Sequence, residues 1–175
     1  MENSHVNQKV AIIFGEQSAN IKVYLFLKKI VFYIFKYIGA FWIARHFTKK
    51  YLRIVSYHGF SKDDEAEFSP RTFIKKETFN KRMEFLHNKG FPVLQLGEAL
   101  TLLHSNKIPP CSIVITIDDG FYRTYSDAWP VLQKYNFPAT IYIATYYVIK
   151  ESPVFDLIIE YMFWKTKKLR LIFME

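Results

Sequence analysis

Short runs of apolar residues alternate with stretches of helical period along the middle of this chain. Residues 52–56 and 112–115 are short apolar runs of strand length, and the second is apolar enough for a strand covered on both faces. Between them, a helix is expected to start at Ser69-Pro70. Phe79, Met83 and Leu86 recur along it at spacings of four and three, and Gly90 closes it. A short strand over 92–95, a helix over 98–104 and a break at Pro109-Pro110 lead to the run at 112–115. A helix over 125–135, with Pro130 near its first turn, and a strand over 139–144 continue the alternation. An apolar helix is expected over 154–164, then a strand-like run over 169–173. Strand and helix taking turns in this way predict an α/β fold with mainly parallel strands.

The most informative chemistry sits where one of these strands ends. Thr116-Ile117-Asp118-Asp119-Gly120 follows the buried run, so two adjacent carboxylates fall at the carboxyl end of a core strand. Like charges that close raise one pKa unless a cation or hydrogen bonds keep both ionised. Ligands of α/β sheets usually bind at such strand ends. A plain Asp-Gly turn is the competing structural reading.

From Tyr51 to Val148 the chain resembles the polysaccharide deacetylase family, also called the NodB-homology domain or carbohydrate esterase family 4. It is most similar to the branch with Tyr-His near its start. The resemblance rests on an ordered series: Ser56-Tyr57-His58-Gly59-Phe60, Phe85-Leu86-His87-Asn88-Lys89-Gly90, Leu96-Gly97-Glu98-Ala99-Leu100, Ile115-Thr116-Ile117-Asp118-Asp119-Gly120-Phe121, Ala128-Trp129-Pro130 and Phe137-Pro138-Ala139-Thr140. Ile117 stands where the family usually has phenylalanine. The resemblance implies hydrolysis of N-acetyl, sometimes O-acetyl, groups on an acetylated polysaccharide or oligosaccharide. It implies one divalent metal ion, zinc first, with cobalt or nickel as the other candidates. Asp118 would be the catalytic base, Asp119 a metal ligand and His58 the acid that protonates the leaving amine. It also implies an incomplete (β/α) barrel of the NodB-homology type, preceded by an amphipathic helix.

The family's remaining ligands are two histidines in a Ser-His-Thr-like segment downstream of the Pro-Ala-Thr strand. This chain has His5, His46, His58, His87 and His104 and none after Asp119. A catalytic zinc site normally has three protein ligands, so the expectation is a truncated site. A closed eight-stranded barrel takes about 250 residues, so an unclosed sheet with an exposed edge is also expected. A non-catalytic fragment binding glycan, membrane or partner is the alternative function. Phosphoryl transfer is disfavoured by the adjacent doublet, because aspartate–magnesium enzymes of that kind tend to space their carboxylates. His87 and His104 are expected to be solvated or capping, and His46 to face solvent or lipid headgroups. Asp63 and Asp64 lie in a charge run, Lys62 to Glu65, that is expected to be a solvated loop.

Charge changes the picture at the N-terminus. The chain of 175 residues has 24 Lys+Arg against 16 Asp+Glu, a net +8, without any organised nucleic-acid-reading motif, so no nucleic acid is expected as partner. The single cysteine, Cys111, rules out an internal disulfide. Residues 1–20 form a polar leader without the features of a cleavable signal. Residues 21–50 read as a basic-aromatic amphipathic helix and 51–175 as the N-terminal part of the deacetylase domain. The apolar stretch 21–44 is long enough to span a bilayer, but Lys28 and Lys29 lie near its middle. Each costs about 2.5–3.5 kcal/mol there, against a gain of roughly 0.3–0.6 per apolar residue. Lys22, Lys29 and Lys36 share one helical face. A membrane surface contacted through 21–47 is therefore the expectation, with packing onto protein as the alternative. The corresponding location is the cytoplasm or the periphery of the cytoplasmic membrane.

Overall fold

The computed structural model describes residues 23–24 and 26–166. The chain divides into two compact units, Met1–Thr48 and Lys49–Glu175. In the first, helix α1 covers 26–37 and α2 covers Ala40–Thr48. Gly39 separates them in a left-handed conformation with φ 75°, which costs a Cβ-less residue little. Phe32 and Phe41 stack across that break with centroids 6.2 Å apart. Large apolar side chains are exposed all along both helices, including Phe26, Phe35, Trp42 and Phe47. Among the described residues no helix is long and apolar enough to cross a membrane. The polar leader 1–20 and Lys22 lie outside the described residues, as does the strand-like run 169–173.

The second unit is built on a three-stranded parallel sheet in the order β1-β4-β5, with β1 at Arg53–Tyr57, β4 at Ile113–Ile117 and β5 at Thr140–Ile141. Strand β4 lies between the others and is buried along all five residues, as expected of a parallel strand covered on both faces. Register pairs Arg53 with Ile113 and Tyr57 with Ile117, and Thr116 with Thr140. Among the described residues the outer edges of β1 and β5 pair with no further strand, so the sheet is open rather than a closed barrel. Open parallel edges are sites where another strand can add.

Between β1 and β4 the chain forms elements that the residue pattern did not announce. Strand β2 (Gly59–Ser61) pairs in parallel with β3 (Phe73–Lys75), and the single turn α3 (Glu65–Phe68) lies between them. The helix expected from Ser69-Pro70 starts only at Lys76, as α4 (Lys76–Asn88). Residues 69–72 turn instead, with Thr72 N–H donating to the Ser69 carbonyl at 3.0 Å, and 73–75 join the small sheet. Gly59 is fixed by close approach: a Cβ there would sit 2.4 Å from the Phe73 ring. The expected strand at 92–95 contracts to a bridge between Val93 and Ile113. Helix α5 (Leu96–His104) follows, with the Gln95 side chain accepting from Glu98 N–H at 3.2 Å. The expected helix at 125–135 opens with a wider, π-helical turn over Thr124–Ala128 and becomes α6 at Trp129–Tyr135, with Pro130 in its first turn. Only Thr140 and Ile141 of the expected strand 139–144 pair. Helices α7 (Thr145–Lys150) and α8 (Phe155–Lys165) complete the described chain.

The core lies between one face of the sheet and helices α4 and α6. Ile113, Ile115 and Ile117 alternate on that face of β4. They pack with Tyr57, Phe60, Phe79, Met83, Val131 and Leu132. Phe79 is wholly buried and meets Tyr57 and Phe60 edge-on, at 4.9 and 5.0 Å. Cys111 is buried just before β4, as a packing residue.

Candidate active site

The sheet brings the Tyr-His segment and the Asp-Asp pair together although 60 positions separate His58 from Asp118. Strands β1 and β4 are parallel neighbours in register, so both chains leave the sheet at the same end. The Asp118 N–H extends the ladder by donating to the Tyr57 carbonyl at 2.8 Å. Ser56 is opposite Thr116, and residues two apart on a strand share a face. Ser56 and Asp118 therefore meet, and the Ser56 hydroxyl donates to Asp118 Oδ2 at 2.6 Å. His58 Nε2 is 3.8 Å from the same oxygen, with the two side chains 44 and 31 % exposed. Both contacts fall on one oxygen of the carboxylate. Ser56 was not singled out in the sequence. Its signal was a lone hydroxyl in the apolar run, two residues before the histidine.

Asp119 is exposed. Its backbone is left-handed, with φ 67°, as is that of Gly120, with φ 68°. The Gly120 N–H closes the turn onto the Asp118 carbonyl at 2.9 Å. Asp119 lines a cavity of ≈ 780 Å³ whose other wall is formed by α7, α8 and the segment joining them.

The residues present fall short of a three-ligand metal centre. Asp118 and Asp119 offer carboxylate oxygens suited to a divalent cation, but among the described residues no three His, Cys, Asp or Glu side chains stand together. His87 is exposed in the last turn of α4, as expected of a solvated residue, and its ring also meets Tyr135 and Phe137, with centroids 5.5 and 6.3 Å apart. His104 sits exposed in the last turn of α5. His46 stacks on Trp42 at 6.2 Å and meets Phe47 edge-on.

The charge run after His58 is more ordered than a solvated loop. Glu65 Oε2 accepts from the backbone N–H groups of Lys62 and Asp63 and from the Ser61 hydroxyl. Asp64 is half-buried and joins α8: Tyr161 donates to its Oδ1 at 2.7 Å, and Lys165 pairs with its Oδ2. Phe68 packs against Tyr161 and Trp164 beside this group. The Lys165 ammonium and the Tyr161 hydroxyl hold the Asp64 carboxyl below its ordinary range, and Asp64 in turn raises the titration of Tyr161 and Lys165. A depressed acid stabilises the fold above its unfolded pKa of about 3.9 and loses that effect as pH falls through the folded value. A raised lysine acts in the opposite sense, losing its effect as pH climbs through a value above about 10.4. The attachment of α8 should therefore persist across neutral pH and loosen at both extremes. Asp64→Asn is expected to release α8 at neutral pH, read as a change in Trp164 fluorescence.

Comparison with known proteins agrees with the residues. No protein-family model matches the chain. YxkH of Bacillus subtilis, which carries the name polysaccharide deacetylase, is 36% identical over 104 residues, covering 58% of this chain and 34% of that protein. The poly-β-1,6-N-acetyl-D-glucosamine N-deacetylase of Staphylococcus aureus is 32% identical over 79 residues, covering 45% of this chain and 27% of its own. The chain thus spans about a third or less of the length of these curated relatives. Two solved structures share the fold. The Streptococcus pyogenes deacetylase PplD, in complex with acetate, aligns with a TM-score of 0.52 at 23% identity, over 58% of this chain and 46% of that one. A de-N-acetylase from Aggregatibacter actinomycetemcomitans aligns with a TM-score of 0.50 at 21% identity, over 59% and 40%. Over that length the chain is similar to proteins named polysaccharide deacetylases, and its open α/β sheet matches part of the fold of two solved deacetylases.

Proposed function

We propose that this chain carries the proton-transfer part of a polysaccharide N-deacetylase acting on an aminosugar polymer. The observation that supports this most is Asp118 at the end of the central strand, hydrogen-bonded by Ser56 and 3.8 Å from His58. Two curated relatives named as deacetylases, one of poly-β-1,6-N-acetyl-D-glucosamine, point the same way. In this reading a water attacks the acetamide carbonyl and Asp118 accepts its proton. The C–N bond then breaks, acetate leaves, and His58 supplies a proton to the amine. Imidazole is suited to that exchange near neutral pH. Asp119 is the ligand that this chain offers to a divalent cation, zinc, cobalt or nickel, which when bound would polarise the carbonyl and lower the pKa of water. The other ligands must come from outside the described residues.

A second reading is a glycan-, membrane- or partner-binding protein without turnover, favoured by the lack of a three-ligand cluster among the described residues. Surface contact with an anionic membrane through 21–47, at the cytoplasmic face, accompanies either reading. It is supported by the exposed aromatic side chains of α1 and α2 beside Lys28, Lys29, Lys36 and Arg45. The deciding experiment follows acetate release from a chitooligosaccharide by the purified chain, with and without added zinc, cobalt or nickel. Cation-dependent release supports the deacetylase. Saturable binding of the oligosaccharide without release at any cation concentration favours the second reading.

A further inference from the structure

The cavity beside Asp119 has walls unlike those expected for a purely hydrophilic ligand. Its lining includes Asp119 and Gly120, where the acetamide would be bound. Thr72, Tyr122, Tyr147 and Ser152 bring hydroxyls to the lining, but most of the remainder is apolar: Phe121, Val148 of α7, Pro153 and Val154 of the connecting segment, and Leu157 and Ile158 of α8. At ≈ 780 Å³ it is far larger than an acetyl group requires, and it falls within the ordinary range of small-molecule sites, about 300–1,000 Å³. Sugar hydroxyls set against Val148, Pro153, Val154, Leu157 and Ile158 would find no partner in those side chains, which is unfavourable. Hydrocarbon in the same place is favoured by burial. The wall is anchored from outside, because α8 is tied to Asp64 through Tyr161 and Lys165. Independently, the other compact unit exposes apolar and aromatic side chains along α1 and α2, next to lysines. That combination suits a lipid surface.

We infer that this site takes a lipid-linked acetylated amino sugar, with the acetamide at the Asp pair and the hydrocarbon of its anchor along the α7–α8 wall. The inference rests on the deacetylase reading for the sugar end only. The test uses the full chain and two probes, methyl and octyl N-acetyl-β-D-glucosaminide, the latter kept below its micellar concentration, with affinities from titration calorimetry. The octyl probe is expected to bind at least tenfold more tightly, since two methylenes buried at about 0.8 kcal/mol each suffice. Leu157→Asp should remove that advantage and leave the methyl probe unchanged. Val154→Asp is the second variant, used if Trp164 fluorescence shows that Leu157→Asp has disturbed α8. Equal affinity for the two probes overturns the proposal. So does an octyl advantage that survives both variants, which would put the hydrocarbon elsewhere, and so does binding of neither probe. The two readings fail separately. An octyl preference without acetate release removes the deacetylase and keeps the lipid cleft. Acetate release from two probes of equal affinity keeps the deacetylase and removes the cleft.

Discussion

Phe79→Ala should destabilise the second unit by about 3–5 kcal/mol, the range for deleting a buried aromatic ring. Phe79 has no exposed surface and stands edge-on to both Tyr57 and Phe60. Those two residues bracket His58 and Gly59, so the ring supports the turn from which the histidine projects. Removal leaves a void that the sheet on one side and α4 on the other can only partly close. Domains of this size have about 5–15 kcal/mol in all, so the loss is a large share. Urea unfolding followed by circular dichroism should show a lower midpoint with an unchanged slope. A loss below about 1 kcal/mol would mean that the core relaxes into the space.

Asp118→Asn should lower cation-dependent acetate release by about 10²–10⁴-fold, the usual worth of a positioned proton acceptor. The amide has the shape of the carboxylate and its oxygen can still accept from Ser56, so the fold and the turn onto Gly120 should be preserved. What it cannot do is take a proton from water. Unfolding curves that superimpose on the parent, together with the lost rate, would assign the effect to chemistry. A variant with undiminished release would show that the base lies elsewhere and that Asp118 only closes the strand end.

The parts of this fold that depend on local pattern were readable in the residues. Strand β4 was, because its apolar run cannot be solvated, and so was the Asp pair at its end. Helix α5 was, and α6 with its Pro130 first turn was read within a longer helix, since apolar spacing and a proline stop mark such elements. The pairing of β2 with β3 was not. Each has three residues, Gly59-Phe60-Ser61 and Phe73-Ile74-Lys75, too short for periodicity, and they are joined by register rather than by sequence. The helix assigned from Ser69 absorbed β3 for that reason. The tie between Asp64 and α8 was equally hidden, because its partners lie 97 and 101 positions away. The charge run looked solvated when its neutralising lysine and phenol could not be seen. The meeting of Ser56 with Asp118 needed the parallel register of β1 on β4, which only the assembled sheet supplies.

The left-handed turn at Asp119 carries a thermodynamic temptation. A residue with a Cβ costs roughly 1–2 kcal/mol in that conformation, less for aspartate than for most, whereas glycine adopts it freely. Asp119→Gly should therefore raise the melting temperature, by up to about 1 kcal/mol in free energy, while discarding the one carboxylate that faces the cavity. A protein under no obligation to keep an acid there would become sturdier by a single substitution. If Asp119 holds a cation as proposed, its retention is the trade-off expected where stability is sacrificed to keep a working group in place.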